Sequence, residues 1–291
     1  MYPASFEYLA PTTLEEVVSL LAERGDDAKV MAGGQSLIPL MKLRFAAPDS
    51  VVDLNRVGGL DTLAADDNGL RIGALVRHGT CERSELLRGR YRLLGDAARL
   101  VADPLVRNRG TVCGSLAHAD PQGDWGSAML AARGSVVAHG AKGERVIAVD
   151  DLALGPFSTT LEPDEVITEV RVPDPGPRTG GTYLKLERKV GDFATAAVAV
   201  QVTLDNGKIG QAGIGLTGVG ATNLRATTAE DLLRGNEPTD DVIREAAALA
   251  AEAADPQSDN RGTADYKRNV VRVYCERGLR TAISAAQAGE E

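Results

Sequence analysis

Two short glycine-rich segments carry the residue types that could bind an anion. The first is AGGQS at residues 32–36, between apolar stretches at 28–31 and 37–41, and the second is GTVCGS at residues 110–115. Glycine lets the backbone approach a ligand closely, and successive N–H groups can surround an oxyanion. Each segment alone is also compatible with a plain tight turn, which is the commoner meaning of a short glycine motif.

The presence of both segments in one chain favours a dinucleotide ligand. Backbone N–H and hydroxyl donors on two loops could hold its two phosphates from opposite sides. Asp124 follows the second segment and precedes an apolar helical stretch at residues 125–132. Its carboxylate could accept hydrogen bonds from sugar or ribityl hydroxyls. It could equally act as the N-cap of the helix, and the two roles are compatible.

Other motifs are weaker evidence for a ligand site, a catalytic nucleophile or a metal site. The GxGxxG pattern at residues 213–218 lies in the return arm of a predicted hairpin rather than opening a helix, so close packing of two layers explains it better. Residues 34–38 resemble a nucleophile elbow but have Ile38 in place of its last glycine. The three histidines, His78, His118 and His139, lack metal-like spacing. We therefore predict no catalytic residue and no metal ligand.

Composition excludes several classes of function. The chain has 291 residues, 43% of them hydrophobic, and a net charge of -9, which argues against a nucleic-acid partner. Cys81, Cys113 and Cys275 form no CxxC, so we expect reduced thiols, a cytoplasmic location and no iron–sulfur cluster in this chain. No signal peptide and no transmembrane segment is expected.

The elements that must position the two loops are strands and helices without regular βαβ alternation, which favours an α+β fold. A capping box at residues 13–16 predicts a helix ending at Gly25. Further helices are predicted at 82–87, 91–101, 241–254 and 264–285. Strands are predicted at 28–31, 51–54, 70–74, 135–138, 146–149, 166–172, 183–187, 194–204 and 209–219. The Pro/Gly-rich residues 172–181 are the best linker candidate.

Four ordered motifs carry a resemblance to a known family. They are AGGQSL at 32–37, RNRGTVCGSLAHADP at 107–121, LEPDEVI at 161–167 and YLKLERK at 183–189, followed by DFA at 192–194. This order resembles the FAD-binding medium subunit of the molybdenum hydroxylases, a family that includes carbon monoxide dehydrogenase medium chains and xanthine dehydrogenase flavin subunits. The resemblance covers nearly the whole chain.

The resemblance implies an FAD-binding domain of the vanillyl-alcohol-oxidase (PCMH) type at residues 1–175. A C-terminal α+β domain of the CO dehydrogenase flavoprotein type would follow at residues 176–288. It implies two pyrophosphate loops, a ribityl contact, two residues near the flavin rings and a lysine at their polar edge. The implied FAD-binding residues are Lys29, Val30, Met31, Ala32, Gly33, Gly34, Gln35, Ser36, Leu37, Val101, Gly110, Thr111, Val112, Cys113, Gly114, Ser115, Asp124, Ile167 and Lys185.

Carbon monoxide dehydrogenase medium chains typically have histidine at the position of Gln35, and the second loop usually has a pair of glycines, of which Cys113 replaces the first. The Cys113 side chain must fit beside the cofactor or turn away from it, and a positive φ there would cost about 1 kcal/mol or more.

The implied function is electron relay from a small [2Fe–2S] subunit through FAD to an external acceptor. A large molybdenum-cofactor subunit would oxidise the substrate, in a dimer of heterotrimers. Two alternatives remain: a free-standing FAD-dependent oxidoreductase of the same fold, and an FAD-free nucleotide-binding scaffold.

Overall fold

A small parallel sheet opens the fold of the computed structural model, which describes residues 2–289. Strands β1 (Glu7–Leu9), β2 (Ala28–Met31) and β3 (Ser50–Asp53) are all parallel, in the order β1-β3-β2. Helix α1 (Leu14–Arg24) connects β1 to β2, and α2 (Leu37–Leu43) lies between β2 and β3. The first glycine loop is therefore the turn from a strand into a helix.

The capping box that predicts α1 is present. Thr13 Oγ1 accepts from the backbone N–H of Glu16 at 3.2 Å, and Glu16 Oε2 accepts from the backbone N–H of Thr13 at 3.3 Å. Gly25 ends the helix as predicted, and Val17 and Leu21 are buried beneath it. The prediction of this helix and of both its ends is confirmed.

A second, antiparallel sheet has the strand order β4-β5-β10-β6-β7. A two-stranded hairpin of β8 and β9 lies outside it. The strands are β4 (Leu63–Asp66), β5 (Gly69–Gly73), β6 (Ser135–Gly140), β7 (Gly143–Ala148), β8 (Ala153–Gly155), β9 (Ser158–Thr159) and β10 (Val166–Val172). Strands β5 and β6 both pair with the largely buried β10, whose bounds match the sequence prediction.

Six helices lie between β5 and β6. They are α3 (His78–Arg83), α4 (Glu85–Arg88), α5 (Arg92–Leu100), α6 (Pro104–Arg107), α7 (Val112–His118) and α8 (Asp124–Ala131). The prediction of one helix over residues 82–87 is wrong, because Ser84 has extended backbone angles and divides it into α3 and α4. The Ser84 hydroxyl caps α4 by accepting from the N–H of Leu87.

The C-terminal half packs three helices on a four-stranded antiparallel sheet of order β11-β12-β13-β14. Its elements are β11 (Thr179–Leu186), β12 (Ala196–Asp205), β13 (Lys208–Thr217), β14 (Leu224–Arg225), α9 (Thr227–Leu233), α10 (Asp240–Glu252) and α11 (Ala264–Ala288). The predicted hairpin turn is present, with Asn206 and Gly207 at φ 49° and 77°. This half and the N-terminal sheets confirm the α+β fold class.

Helix α8 packs directly on β13, and two glycines of the rejected GxGxxG pattern make this possible. A Cβ atom at Gly213 would lie 1.9 Å from the carbonyl oxygen of Ala131, and one at Gly215 would lie 2.0 Å from that of Ser127. The close-packing interpretation of this motif is confirmed. The contact brings the N-terminal half, which carries both glycine loops, against the C-terminal sheet.

Candidate functional site

The two glycine loops touch each other. The first, residues 32–36, joins β2 to α2, and the second, residues 110–115, leads into α7. A Cβ atom at Gly33 would lie 2.2 Å from the carbonyl oxygen of Arg109 and 2.7 Å from Cα of Gly110. Only glycine fits at position 33, because the second loop occupies the space that a side chain would take.

The first loop is shaped by its own backbone. Gly34 has a φ of 74°, in the region that favours glycine, and the Gln35 side chain donates from Nε2 to the Gly33 carbonyl at 3.2 Å. Ser36 precedes α2 without a side-chain capping hydrogen bond. In the following α2, only Met41 is buried, so most of the apolar stretch at residues 37–41 lies outside the core.

The second loop begins with a conventional helix cap. Thr111 Oγ1 accepts from the N–H of Gly114 at 3.1 Å and so starts α7. The Cys113 side chain turns inward: it is 3% exposed, and its Sγ donates to the carbonyl of Ile72 at 3.6 Å. Cys113 is helical, so the strained positive φ considered from the sequence does not occur. Burial raises the pKa of its thiol.

Asn55 and Arg77, which the sequence analysis did not identify, connect the two loops by hydrogen bonds; we call them the Arg77–Asn55 brace. Asn55 Nδ2 donates to the carbonyl of Ala32 at 2.8 Å in the first loop. Arg77 donates to the carbonyl of Arg109 at 2.6 Å beside the second loop, and it also bonds Asn55 Oδ1. Asp53, at the end of β3, holds Asn55 by accepting from its backbone N–H at 2.9 Å. These polar residues have no periodic signal in the sequence.

Asp124 lies in a second polar cluster, at the first residue of α8. Its side chain is nearly buried, and Tyr183 donates to Oδ1 at 2.9 Å while Lys185 Nζ donates to Oδ2 at 3.0 Å. The N-cap interpretation of Asp124 is wrong, because Gly123 holds the cap position and no side chain caps α8. The carboxylate instead faces β11, whose Tyr183 and Lys185 are two residues apart and share one face.

Burial dominates the electrostatics of this cluster. It raises the pKa of Asp124 above its usual range, against the opposing effect of the Lys185 ammonium. Burial, and then the charge of Asp124, raises the pKa of Tyr183 well above 10, so its hydroxyl stays a donor at neutral pH. The Lys185 side chain is 1% exposed and also donates to the carbonyl of Leu100 at 2.8 Å.

The remaining predicted residues differ in burial and in what they lie next to. Val101 directly follows Leu100, the carbonyl acceptor of Lys185, and is half-buried. Ile167 is 4% exposed and belongs to the core of the N-terminal half. Of the residues at and after β2, Lys29 is exposed, and Val30, Met31 and Leu37 are half-buried. The fold thus brings Lys185, Asp124 and the neighbourhood of Val101 together.

The link between the loops and the Asp124 cluster is a buried ring pair. Trp125, the residue after Asp124, donates from Nε1 to His78 Nδ1 at 3.0 Å. The ring centroids lie 5.9 Å apart at an interplanar angle of 21°. The backbone N–H of His78 donates to the carbonyl of Gly110 at 2.9 Å. The single tryptophan of the chain was a signal that sequence reasoning did not use.

The residues present fit the pyrophosphate of a dinucleotide. Residues 32–36 and 110–115 are glycines, small hydroxyl residues and other uncharged residues, without an acidic side chain to repel phosphate. Gly33 and Gly34 are buried, and a Cβ atom at either position would lie within 3 Å of a neighbouring atom, so the first loop packs too closely to carry a side chain there. Within residues 2–289, no cluster of side chains suits a metal ion. The same residues contain no helix that is long and apolar enough to cross a membrane.

Two family descriptions match the sequence. Residues 4–175 match "FAD binding domain in molybdopterin dehydrogenase", and residues 181–282 match "CO dehydrogenase flavoprotein C-terminal domain". The carbon monoxide dehydrogenase medium chain of Hydrogenophaga pseudoflava is 39% identical over 97% of this chain and 98% of its own length. Subunit alpha of the 6-hydroxypseudooxynicotine dehydrogenase complex of Paenarthrobacter nicotinovorans is 38% identical over 100% and 99% of the two chains.

A solved structure supports the same assignment. A chain of the Hydrogenophaga pseudoflava carbon monoxide dehydrogenase that lacks the Mo-pyranopterin moiety superimposes with a TM-score of 0.95 and 41% identity, over 98% of this chain and 99% of that one. The fold, the two joined loops and these matches agree. They show that the chain belongs to the FAD-binding medium-subunit family of the molybdenum hydroxylases, with FAD as its cofactor.

Proposed function

We propose that the two joined glycine loops bind the pyrophosphate of FAD and that the Asp124 cluster receives its ribityl and flavin part. The observation that carries this assignment is the direct contact of Gly33 with the backbone of Arg109 and Gly110. That contact brings the backbone of two distant parts of the sequence side by side. A pyrophosphate has oxygens on two phosphorus atoms and therefore suits two adjoining loops.

The side chains around the loops have separate parts in this assignment. Gln35 and Ser36 supply amide and hydroxyl groups beside the first loop. Asp124 accepts from ribityl hydroxyls, and the donors Tyr183 and Lys185 fix the direction of its two oxygens. Lys185, Val101 and Ile167 lie toward the flavin ring system, with the ammonium favouring negative charge at the polar edge of the flavin.

The proposed role in the assembly is electron relay. FAD, when bound, accepts electrons from a small [2Fe–2S] subunit and passes them to an external acceptor. The chain's own residues bind and orient the cofactor, and we propose no acid–base pair or nucleophile among them. A large molybdenum-cofactor subunit would oxidise the substrate, in a dimer of heterotrimers.

Substrate choice, in this proposal, does not belong to this subunit. Relatives with 39% and 38% identity over nearly the whole chain carry names for carbon monoxide and for a nicotine-derived substrate. Similar medium chains therefore accompany different chemistry on the large subunit.

We also propose a domain boundary between residues 175 and 176. The three free buried cysteines, Cys81, Cys113 and Cys275, fit a cytoplasmic location.

A flavin titration tests the loop assignment. The purified, flavin-depleted chain should bind FAD much more tightly than FMN, because the loops would recognise the pyrophosphate that FMN lacks. Gly33→Ala should abolish this preference, since its Cβ would lie 2.2 Å from the Arg109 carbonyl oxygen. Gly58→Ala is the matched control, because no atom lies within 4 Å of the added Cβ. Equal affinity of the unaltered chain for FMN and FAD would refute the assignment.

Rapid mixing tests the subunit role. The flavin of the isolated chain should not be reduced by an organic substrate at catalytic rates. Co-expression with a [2Fe–2S] subunit and a molybdenum subunit should yield a complex in which it is reduced. Fast reduction in the isolated chain would support the free-standing oxidoreductase instead.

A further inference from the structure

The buried ring pair of His78 and Trp125 connects two parts of the proposed FAD site, the second glycine loop and the start of α8 with Asp124. Trp125 follows Asp124 in the first turn of α8, and its Nε1 donates to His78 Nδ1 at 3.0 Å. The backbone N–H of His78 donates to the carbonyl of Gly110 at 2.9 Å, at the start of the second glycine loop. One residue thus contacts both the helix that carries Asp124 and the loop.

The imidazole also fills the space above Gly110. A Cβ atom at position 110 would lie 2.7 Å from His78 Cδ2 and 2.8 Å from His78 Nε2. The ring therefore rests against the bare backbone of the second loop. On its other side, Gly110 lies against Gly33, whose own Cβ would come within 2.7 Å of Cα of Gly110. The imidazole, Gly110 and Gly33 are therefore in successive contact.

The hydrogen bond fixes which form of His78 is present. An indole N–H is a donor only, so Nδ1 must be the unprotonated acceptor and the proton must lie on Nε2. Burial, reinforced by the nearby Arg107 and Arg77, lowers the pKa of His78 to about 3. The ring is therefore neutral at every pH at which the protein would be handled, and its orientation is fixed by Trp125.

We propose that His78 is a positioning residue for the FAD site: held by Trp125, its neutral imidazole fixes the second glycine loop, and through it the first, relative to Asp124. This inference rests on the proposed assignment of the loops to the pyrophosphate. It predicts that the His78–Trp125 hydrogen bond determines the preference for FAD over FMN, although neither side chain belongs to the loops themselves. A purely structural role would affect only the stability of the fold.

His78→Phe and Trp125→Phe, alone and combined, separate these roles. His78→Phe keeps a ring of similar shape and leaves the Trp125 N–H buried without an acceptor, which lowers the melting temperature of the flavin-free chain. We expect FAD to bind at least about fivefold more weakly, the loss expected for one directed hydrogen bond. FMN affinity should change less, because FMN does not span both loops.

The double variant gives the decisive result. Replacing both partners removes the unsatisfied donor, so the loss of melting temperature in the double variant should be smaller than the sum of the losses in the two single variants, although the cavity left by Trp125→Phe remains. The second glycine loop would still lack the imidazole of His78 that Trp125 holds in place, so the preference for FAD over FMN should stay reduced. His139→Phe, at the end of β6 and outside both loops, is the matched histidine control and should leave both quantities close to their original values.

Two outcomes would overturn the inference. One is an unchanged ratio of FMN to FAD dissociation constants in His78→Phe. The other is recovery of that ratio in the double variant, which would show that the unsatisfied donor alone, and not the loss of the hydrogen bond, had weakened FAD binding. A chain that shows no FAD preference before any substitution would instead refute the loop assignment, so the two failures are distinguishable.

Discussion

Helix α8 has a buried carboxylate cluster at each end, and both clusters join the N-terminal half of the chain to the C-terminal half. At its start, Asp124 is bonded by Tyr183 and Lys185 of β11. Beyond its end, Arg133 Nη2 lies 3.7 Å from Glu230 Oε2, where Glu230 belongs to α9. Both carboxylates are buried, but they differ in how many donors surround them.

Glu230 is saturated with donors. Its Oε1 accepts from the backbone N–H of Ile214 at 2.8 Å, and both of its oxygens accept from the guanidinium of Arg225 at 2.7–3.0 Å. Arg225 in turn donates to Asp150 of the N-terminal half at 3.0 Å. A bidentate pair with a further backbone donor leaves little acceptor capacity, so this cluster is a structural clamp.

Asp124 has one donor on each oxygen, although a carboxylate offers about four acceptor sites. It therefore keeps capacity for further donors, such as the hydroxyls of a ligand. The comparison teaches that two buried carboxylates can differ in their unused acceptor positions, and those of Asp124 are the positions that our proposal assigns to ligand hydroxyls.

The largest expected effect is the loss of folding stability when the cluster around Glu230 is disrupted. Glu230→Gln should lower the free energy of unfolding by about 3–5 kcal/mol, because it leaves the buried face of Arg225 without its full counter-charge. Denaturant unfolding of the flavin-free chain measures this loss. The increase in melting temperature on adding saturating FAD should be unchanged, and a reduced increase would contradict the division between the two clusters.

Asp124→Asn should instead weaken FAD binding and reduce the increase in melting temperature that FAD causes. The amide keeps one acceptor for Tyr183 but loses the charge-assisted bonds, so FAD should bind about tenfold or more weakly. The readout is the difference in melting temperature between the flavin-free and FAD-saturated forms, which should shrink. If both forms fall by the same amount and the difference is preserved, Asp124 is structural like Glu230.

The pH dependence of stability tests the electrostatics of the Asp124 cluster. The pKa of Tyr183 is raised in the folded state, so its contribution is fully present below pH 10 and is lost as pH rises toward the folded value. The stability difference between the unaltered chain and Tyr183→Phe should fall by about 1.4 kcal/mol for each pH unit above 10. A constant difference between pH 9 and 11 would show that the Tyr183 hydroxyl is not buried.

The smallest effect is expected at Cys113, where the side chain faces the core. Cys113→Ala should lower the free energy of unfolding by about 1 kcal/mol through the lost Sγ contacts. It should leave FAD affinity unchanged, because the thiol points away from the loop surface toward Ile72. A clear change in FAD affinity, measured by the same titration, would show that the thiol does contact the cofactor.

Local signals in the sequence were sufficient for the elements that are stabilised locally. The Thr13–Glu16 capping box determined the start of α1 and Gly25 its end, and the Asn206–Gly207 turn determined the β12–β13 hairpin. Alternation of apolar residues gave β10 with its observed bounds. The order of the motifs also identified the family, because each motif is a continuous stretch of sequence.

The tertiary structure alone decided which of these residues meet. Gly33 and Gly110 are 77 positions apart, and their contact depends on how the parallel sheet and α7 pack. The partners of Asp124, the Arg77–Asn55 brace and the His78–Trp125 pair are likewise non-local. A single polar or aromatic residue in a sequence has no periodicity, so its partner is fixed only when the surrounding layers pack. The inward turn of Cys113 follows from the same packing, since its place in the first turn of α7 directs the side chain toward β5.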